Sequence, residues 1–223
     1  MKGSLILEAI IKYLMGVVLC GVMIFLPAGT WLYMEGWLFM ALLFVPMLAV
    51  GVVLAIKCPD LLRSRLEAKE SKRSQDIVVK LSSLIFIASF VVAGLNHRYS
   101  WVTQPSWCTW VSGAIFLCSY ILYAEVLREN RYLSRTIKVV EGQKLIDTGL
   151  YAIVRHPMYM ASTLLFLAMP MVLASPISLA IMGLYLPLIA QRIKTEESLL
   201  EEQLPGYVEY KKRVRYRMMP FIY

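Results

Sequence analysis

Long uncharged runs alternate with short, mostly basic clusters along the whole chain, and this blocking organises it more than any fine periodicity. Apolar runs near 20 residues have the length of a bilayer-crossing helix. They predict six spans, near residues 10–32, 37–56, 77–95, 107–127, 157–174 and 176–191. Pro27-Ala-Gly29 should close the first, and the short turn Tyr33-Met-Glu-Gly36 should fold it against the second as a hairpin, with Pro46 kinking that second helix. Residues 57–76 form a cationic loop in which Leu61, Leu62 and Leu66 recur at helical spacing, the mark of a short interfacial helix. Beyond Arg192 the last span is expected to continue as a polar helix ending near Pro205-Gly206, followed by an amphipathic piece from Tyr207 to Val214.

Composition supports this membrane class. Hydrophobic residues make up 59% of the 223 and charged residues only 17%, against about a quarter charged in soluble domains. The chain reads as one all-α, polytopic membrane domain over 1–223, without repeats or linkers. The first run has no small-residue cleavage site after it and reads as a retained span. The formal net charge of +8 is distributed by topology: all of the 23 Lys and Arg except Arg98 fall in alternate loops and adjoining span ends. This bias places both termini in the cytoplasm and the basic surface against anionic membrane lipids, with no nucleic acid partner. Such a protein would sit in the cell inner membrane of a prokaryote or the endoplasmic reticulum of a eukaryote.

On the opposite side, Trp101, Trp107 and Trp110 read as an interfacial aromatic belt, and His97 beside them as a solvated loop histidine. Cys20, Cys58, Cys108 and Cys118 show no CxxC spacing and read as small buried apolar residues, without disulfide or metal.

Candidate chemistry collects at the feet of the last apolar hairpin. Loop 128–156 is long for a membrane connector. It runs through Glu129-Asn-Arg-Tyr-Leu-Ser134, an extended-looking Thr136–Val140 and a turn at Asp147-Thr-Gly149. Pro157 suits a first helical position, which puts Arg155 and His156 at a helix mouth that favours an anion. At the other foot Arg192 and Glu196 are four apart and share a helical face, while Glu197 points away. Glu197, Glu201 and Glu202 then read as a solvated face.

Thr148-Gly-Leu-Tyr-Ala-Ile-Val-Arg-His-Pro-Met-Tyr159, Arg192-Ile-Lys-Thr-Glu-Glu197 and Tyr207-Val-Glu-Tyr-Lys-Lys-Arg-Val214 followed by Pro220, taken in this order, resemble the isoprenylcysteine carboxyl methyltransferase family. That family is related in its C-terminal half to the phospholipid methyltransferases. The resemblance spans roughly residues 125–220. It implies a polytopic enzyme using S-adenosyl-L-methionine near the cytoplasmic face, with four spans in 1–127 and the cofactor-binding half in 128–223. Carried over by position, it implies cofactor contacts at Gln143, Lys144, Leu145 and Ile146, at Tyr151, at His156, Pro157, Met158 and Tyr159, and at Glu196. Arg192 takes the position assigned to the substrate's carboxyl end. Where members often carry a glutamine, this chain has Val140.

The chemistry is consistent with those residue types. Glu196 can hold the donor's ammonium, and His156, Arg155 and the helix mouth its carboxylate. Tyr151 or Tyr159 can meet adenine or the sulfonium. Methyl transfer to a carboxylate requires alignment and dryness rather than a metal or a general base. The expected acceptor is a lipophilic small molecule or a lipidated peptide, with a prenylcysteine-type carboxylate foremost. Two other classes fit less well. A sterol-reductase-like NADPH oxidoreductase would share the C-terminal architecture, but the chain lacks a GxGxxG fingerprint. A non-catalytic scaffold or transporter component would be expected to carry ionisable residues in mid-span.

Overall fold

The structure is a computed structural model that describes residues 2–66, 73–130, 132–133, 139 and 142–223. The expected stretch Thr136–Val140 lies outside the described residues except for Val139, and Val140 itself falls among those left out. The described elements are helical: α1 (Lys2–Ala28), α2 (Met34–Lys57), α3 (Pro59–Leu66), α4 (Arg73–Tyr99), α5 (Ser106–Glu129), a 3-10 turn (Gly149–Ala152), α6 (Pro157–Val172), α7 (Pro176–Gly183), α8 (Tyr185–Gln203) and α9 (Tyr207–Arg213). One parallel bridge, Val154 to Tyr216, is the extended pairing among the described residues.

Among the described residues, five segments are long and apolar enough to cross a membrane: Leu5–Ala28, Met34–Lys57, Ile77–Tyr99, Ser106–Glu129 and Pro176–Gln203. The last combines α7 and α8. The fifth expected span, 157–174, is instead a shorter helix of 16 residues. At 1.5 Å per residue α6 reaches about 24 Å, short of a hydrocarbon core of about 30 Å. Its last carbonyls therefore need partners inside the protein. Three elements supply them. Gln104 Nε2 donates to the Met171 carbonyl at 2.7 Å, Asn96 Nδ2 to the Ala174 carbonyl at 3.3 Å, and the Tyr33 hydroxyl to the Leu173 carbonyl. Ala174 then turns the chain at a positive φ of 50°, and Pro176 starts α7.

Pro46 sits inside α2 and removes one N–H from its ladder. The neighbouring carbonyls of Phe44 and Leu43 accept hydrogen bonds from Tyr13 of α1 and Tyr120 of α5 at 3.1 and 2.8 Å. Between the helices lies an aromatic and aliphatic core that includes Ile24, Phe39, Phe90, Phe116, Leu173 and Met182. The outer faces carry exposed Leu14, Val18, Leu19, Val45, Leu84 and Ile121, as lipid-facing surfaces should.

His97 corrects its expectation. It lies in the last turn of α4 and stacks on Tyr33 with ring centroids 4.0 Å apart. Among the cysteines only Cys20 is buried; Cys58 and Cys118 are exposed and Cys108 is intermediate. Trp101, Trp107 and Trp110 are exposed, as a belt requires.

The α1–α4 crossing depends on Gly94. A Cβ there would meet the Ile24 carbonyl oxygen at 2.5 Å and the Ala28 nitrogen at 3.0 Å, both backbone atoms. Gly94→Ala is expected to push the helices apart and cost about 1–3 kcal/mol. Thermal unfolding in detergent checks this, and an unchanged midpoint would mean that α1 and α4 do not approach this closely.

Candidate active site

Three elements converge where α6 begins. Asp147 to Gly149 turns into the 3-10 segment, with Gly149 at φ 53° and Thr148 extended. The Glu129 carboxylate at the end of α5 accepts from the Leu150 N–H at 3.1 Å, and a Cβ on Gly149 would collide with it. Pro157 opens α6 as expected. The residues just before it are held by the C-terminal tail. The Arg155 N–H donates to the Tyr216 carbonyl at 3.0 Å, and the His156 N–H to that of Arg217 at 2.7 Å.

The side chains of this mouth close around Glu197, which corrects its assignment to a solvated face: it is only 2% exposed. Arg155 Nε donates to Glu197 Oε1 at 2.7 Å and Arg217 Nε to Oε2 at 2.9 Å. His156 Nε2 stands 3.4 Å from Oε1, an ion-pair separation without hydrogen-bond alignment. Arg155 Nη1 also donates to the Val214 and Arg215 carbonyls at 2.6 and 2.8 Å. Arg155 is therefore a buried clamp between α8 and the tail, and neither an interfacial lipid anchor nor an uncommitted donor for a ligand. Burial works against the Arg217 charge, yet Glu197 and Tyr223 more than offset it and its pKa rises.

Glu196, the neighbour of Glu197, faces the other way. Tyr159 donates its hydroxyl proton to Glu196 Oε2 at 2.5 Å, and Arg192 Nε donates to the same hydroxyl at 3.1 Å. Arg192 is buried beneath this contact.

Between these groups opens a cleft of about 80 Å³. Gln143, Lys144, Leu145 and Ile146 form one wall, and Tyr151, Arg155, His156, Pro157, Met158 and Tyr159 another, with Glu196 between them. These are the eleven residues assigned to the cofactor from the sequence. Arg192 is not among the lining residues and reaches the cleft through Tyr159. Six further residues line it that the sequence did not single out: Asn130, Leu133, Leu200, Leu204, Tyr207 and Tyr210. Tyr207 and Tyr210 at i, i+3 did share one side of the predicted amphipathic piece. They pack with Leu204, Val214, Leu145 and Leu200 into a small satellite core.

This satellite core fixes the wall. The Tyr210 hydroxyl donates to the Tyr151 carbonyl at 2.7 Å, and Asn130 Nδ2 donates to the Tyr151 hydroxyl at 2.9 Å. Burial, with smaller contributions from nearby groups, pushes the phenol pKa of both Tyr207 and Tyr210 well above the ordinary range. Both remain protonated donors at neutral pH. Exposed pairs Arg213–Asp147 and Lys211–Glu201, each at 2.5 Å, tie α9 to the first wall and to α8.

The cleft coincides with the part of the chain that is similar to known proteins. Residues 114–202 match the isoprenylcysteine carboxyl methyltransferase family. The chain is similar to that family across this segment. It is also similar to a protein-S-isoprenylcysteine O-methyltransferase B of Arabidopsis thaliana, 29% identical over 154 residues that cover 61% of this chain and 76% of the relative. Similarity to the isoprenylcysteine carboxyl methyltransferase family favours methyl transfer over reduction or a scaffold role. The matched segment ends before α9, so Tyr207, Tyr210 and the clamping tail at 214–217 lie beyond it.

Proposed function

We propose that this protein is an integral membrane methyltransferase that uses S-adenosyl-L-methionine to methylate a lipophilic or lipid-linked acceptor at the cytoplasmic interface. A prenylcysteine-type carboxylate is the leading acceptor, as the Arabidopsis relative's name indicates for that protein. The observation that carries this reading is the cleft itself, which is lined by one carboxylate, Glu196, by a helix mouth and by two residues with buried polar atoms that lack hydrogen-bond partners, His156 Nε2 and Tyr207 Oη. A ligand bearing both an ammonium and a carboxylate satisfies all three. In this reading residues 1–127 are the membrane scaffold, 128–223 the donor-binding half, and both termini cytoplasmic.

When bound, S-adenosylmethionine supplies an electrophilic methyl on a sulfonium; the rest is positioning by the protein. Glu196, already oriented by Tyr159, takes the ammonium by a charge-assisted hydrogen bond. The Tyr151 ring, its hydroxyl and carbonyl both engaged, offers a fixed aromatic face to adenine or to the sulfonium. Leu133, Leu145, Leu200 and Leu204 keep water from the reacting atoms, which favours an anionic nucleophile meeting a cation. A carboxylate nucleophile needs no proton removed, so in-line alignment dominates the chemistry. An acceptor with a long apolar tail would leave that tail among the exposed apolar helix faces.

Calorimetry with S-adenosylhomocysteine, the demethylated product, tests the donor assignment. Wild type in detergent is expected to bind at micromolar Kd, and Glu196→Ala at least about tenfold more weakly. A folded wild type that does not bind would remove the donor from this reading.

A further inference from the structure

Six tyrosines are buried among the described residues: Tyr33, Tyr151, Tyr159, Tyr185, Tyr207 and Tyr210. Five have a hydroxyl partner. Tyr33 bonds to the Leu173 carbonyl, Tyr151 to Asn130, Tyr159 to Glu196 and Arg192, Tyr210 to the Tyr151 carbonyl, and Tyr185 to Ser162. Tyr207 is 3% exposed, and its hydroxyl finds no partner. A buried hydroxyl left unpaired destabilises a fold, and native proteins rarely tolerate one without a reason. A phenylalanine would fill the same space in the satellite core without that penalty. Tyr207 lines the cleft, as does His156, whose Nε2 is likewise without a hydrogen bond.

The carboxylates around this end of the cleft are already matched by guanidinium groups. Glu197 is paired with Arg155 and Arg217, and Glu196 is reached by Arg192 through Tyr159. Of these three guanidinium groups only that of Arg155 lines the cleft. Arg155 was one candidate donor for a ligand carboxylate on sequence grounds, with His156 and the helix mouth, but it is committed to Glu197 and two tail carbonyls. Tyr207 stays protonated, so it presents a neutral O–H that can replace Arg155 in that role.

We infer that the Tyr207 hydroxyl donates a hydrogen bond to the carboxylate of the bound methyl donor, beside His156, and so selects donors that keep the amino-acid end. This rests on the proposed donor and extends its binding site past the family-matched segment onto α9.

The test pairs two ligands with two proteins. S-adenosylhomocysteine carries the carboxylate; its decarboxylated counterpart, 5′-(3-aminopropylthio)-5′-deoxyadenosine, keeps the ammonium and adenosine but lacks it. Calorimetry on full-length wild type and Tyr207→Phe is expected to show about tenfold weaker S-adenosylhomocysteine binding in the variant, with the decarboxylated compound bound equally by both. Unchanged S-adenosylhomocysteine binding would overturn the assignment. So would an equal loss of both ligands, which would make Tyr207 a packing residue. A wild type that binds neither ligand would instead defeat the donor reading on which the assignment rests.

Discussion

Glu197→Gln is expected to lower the thermal unfolding midpoint of the detergent-solubilised protein by about 10 °C and to abolish methyl transfer with it. The side chain of Glu197 is 3% exposed and that of Arg155 5%. Glutamine preserves the shape but leaves the Arg155 guanidinium buried without its counter-charge, which costs about 3–5 kcal/mol. For a chain of this length each kcal/mol moves the midpoint by about 2–4 °C. The loss should spread beyond one pair, because Arg217 also bonds to this carboxylate and Arg155 secures the Val214 and Arg215 carbonyls. Releasing them frees the tail that holds the backbone of Arg155 and His156. A Glu197→Leu, Arg155→Met double variant should regain part of the stability by removing both charges. Recovery should stay incomplete, since the two tail carbonyls still lack their donor. A midpoint within 2 °C of wild type for Glu197→Gln would show that the cluster does not anchor this half.

The role of Glu197 also shows what the sequence could and could not express. Helical spacing correctly separates it from the face of Arg192 and Glu196. The spacing says nothing of what lies opposite, and the partners arrive from residues 214–217 through a return of the tail that no local pattern encodes. Tyr207 is similar: its i, i+3 relation to Tyr210 marks a packed side, but not that only one of the two hydroxyls finds a partner. The span ends were easier, because Gly29, Pro157 and Pro176 punctuate the chain where helices stop or begin. The shortness of α6 was hidden inside one uncharged run from Met158 to Gln191, whose hydropathy does not reveal that the helix ends at Val172. Eleven of the cleft residues were legible through family resemblance, most of them near the mouth of α6 or the turn at Asp147.

Arg192→Ala is expected to reduce turnover by about 100-fold or more while weakening S-adenosylhomocysteine binding far less. Arg192 does not line the cleft; its Nε–H donates to the Tyr159 hydroxyl, which donates in turn to Glu196. Removing it takes one of two partners from that hydroxyl and loosens the link between α8 and the first turn of α6. Glu196 remains in place to meet an ammonium, so product binding largely survives. In-line transfer is less forgiving, because a misplacement of about 1 Å can cost about 100-fold. Arg192→Lys should not rescue turnover: an ammonium is a point charge on a flexible stem and does not reproduce the fixed Nε–H direction. Turnover would be measured with a prenylated cysteine as acceptor, and Kd by calorimetry on the same preparations. If Arg192 instead grips the acceptor carboxylate directly, the alanine variant should show its loss mainly as a raised KM for that acceptor, with kcat near wild type at saturation. A fall in kcat at unchanged acceptor KM identifies positioning through Tyr159, and turnover within threefold of wild type would remove Arg192 from the site by either route.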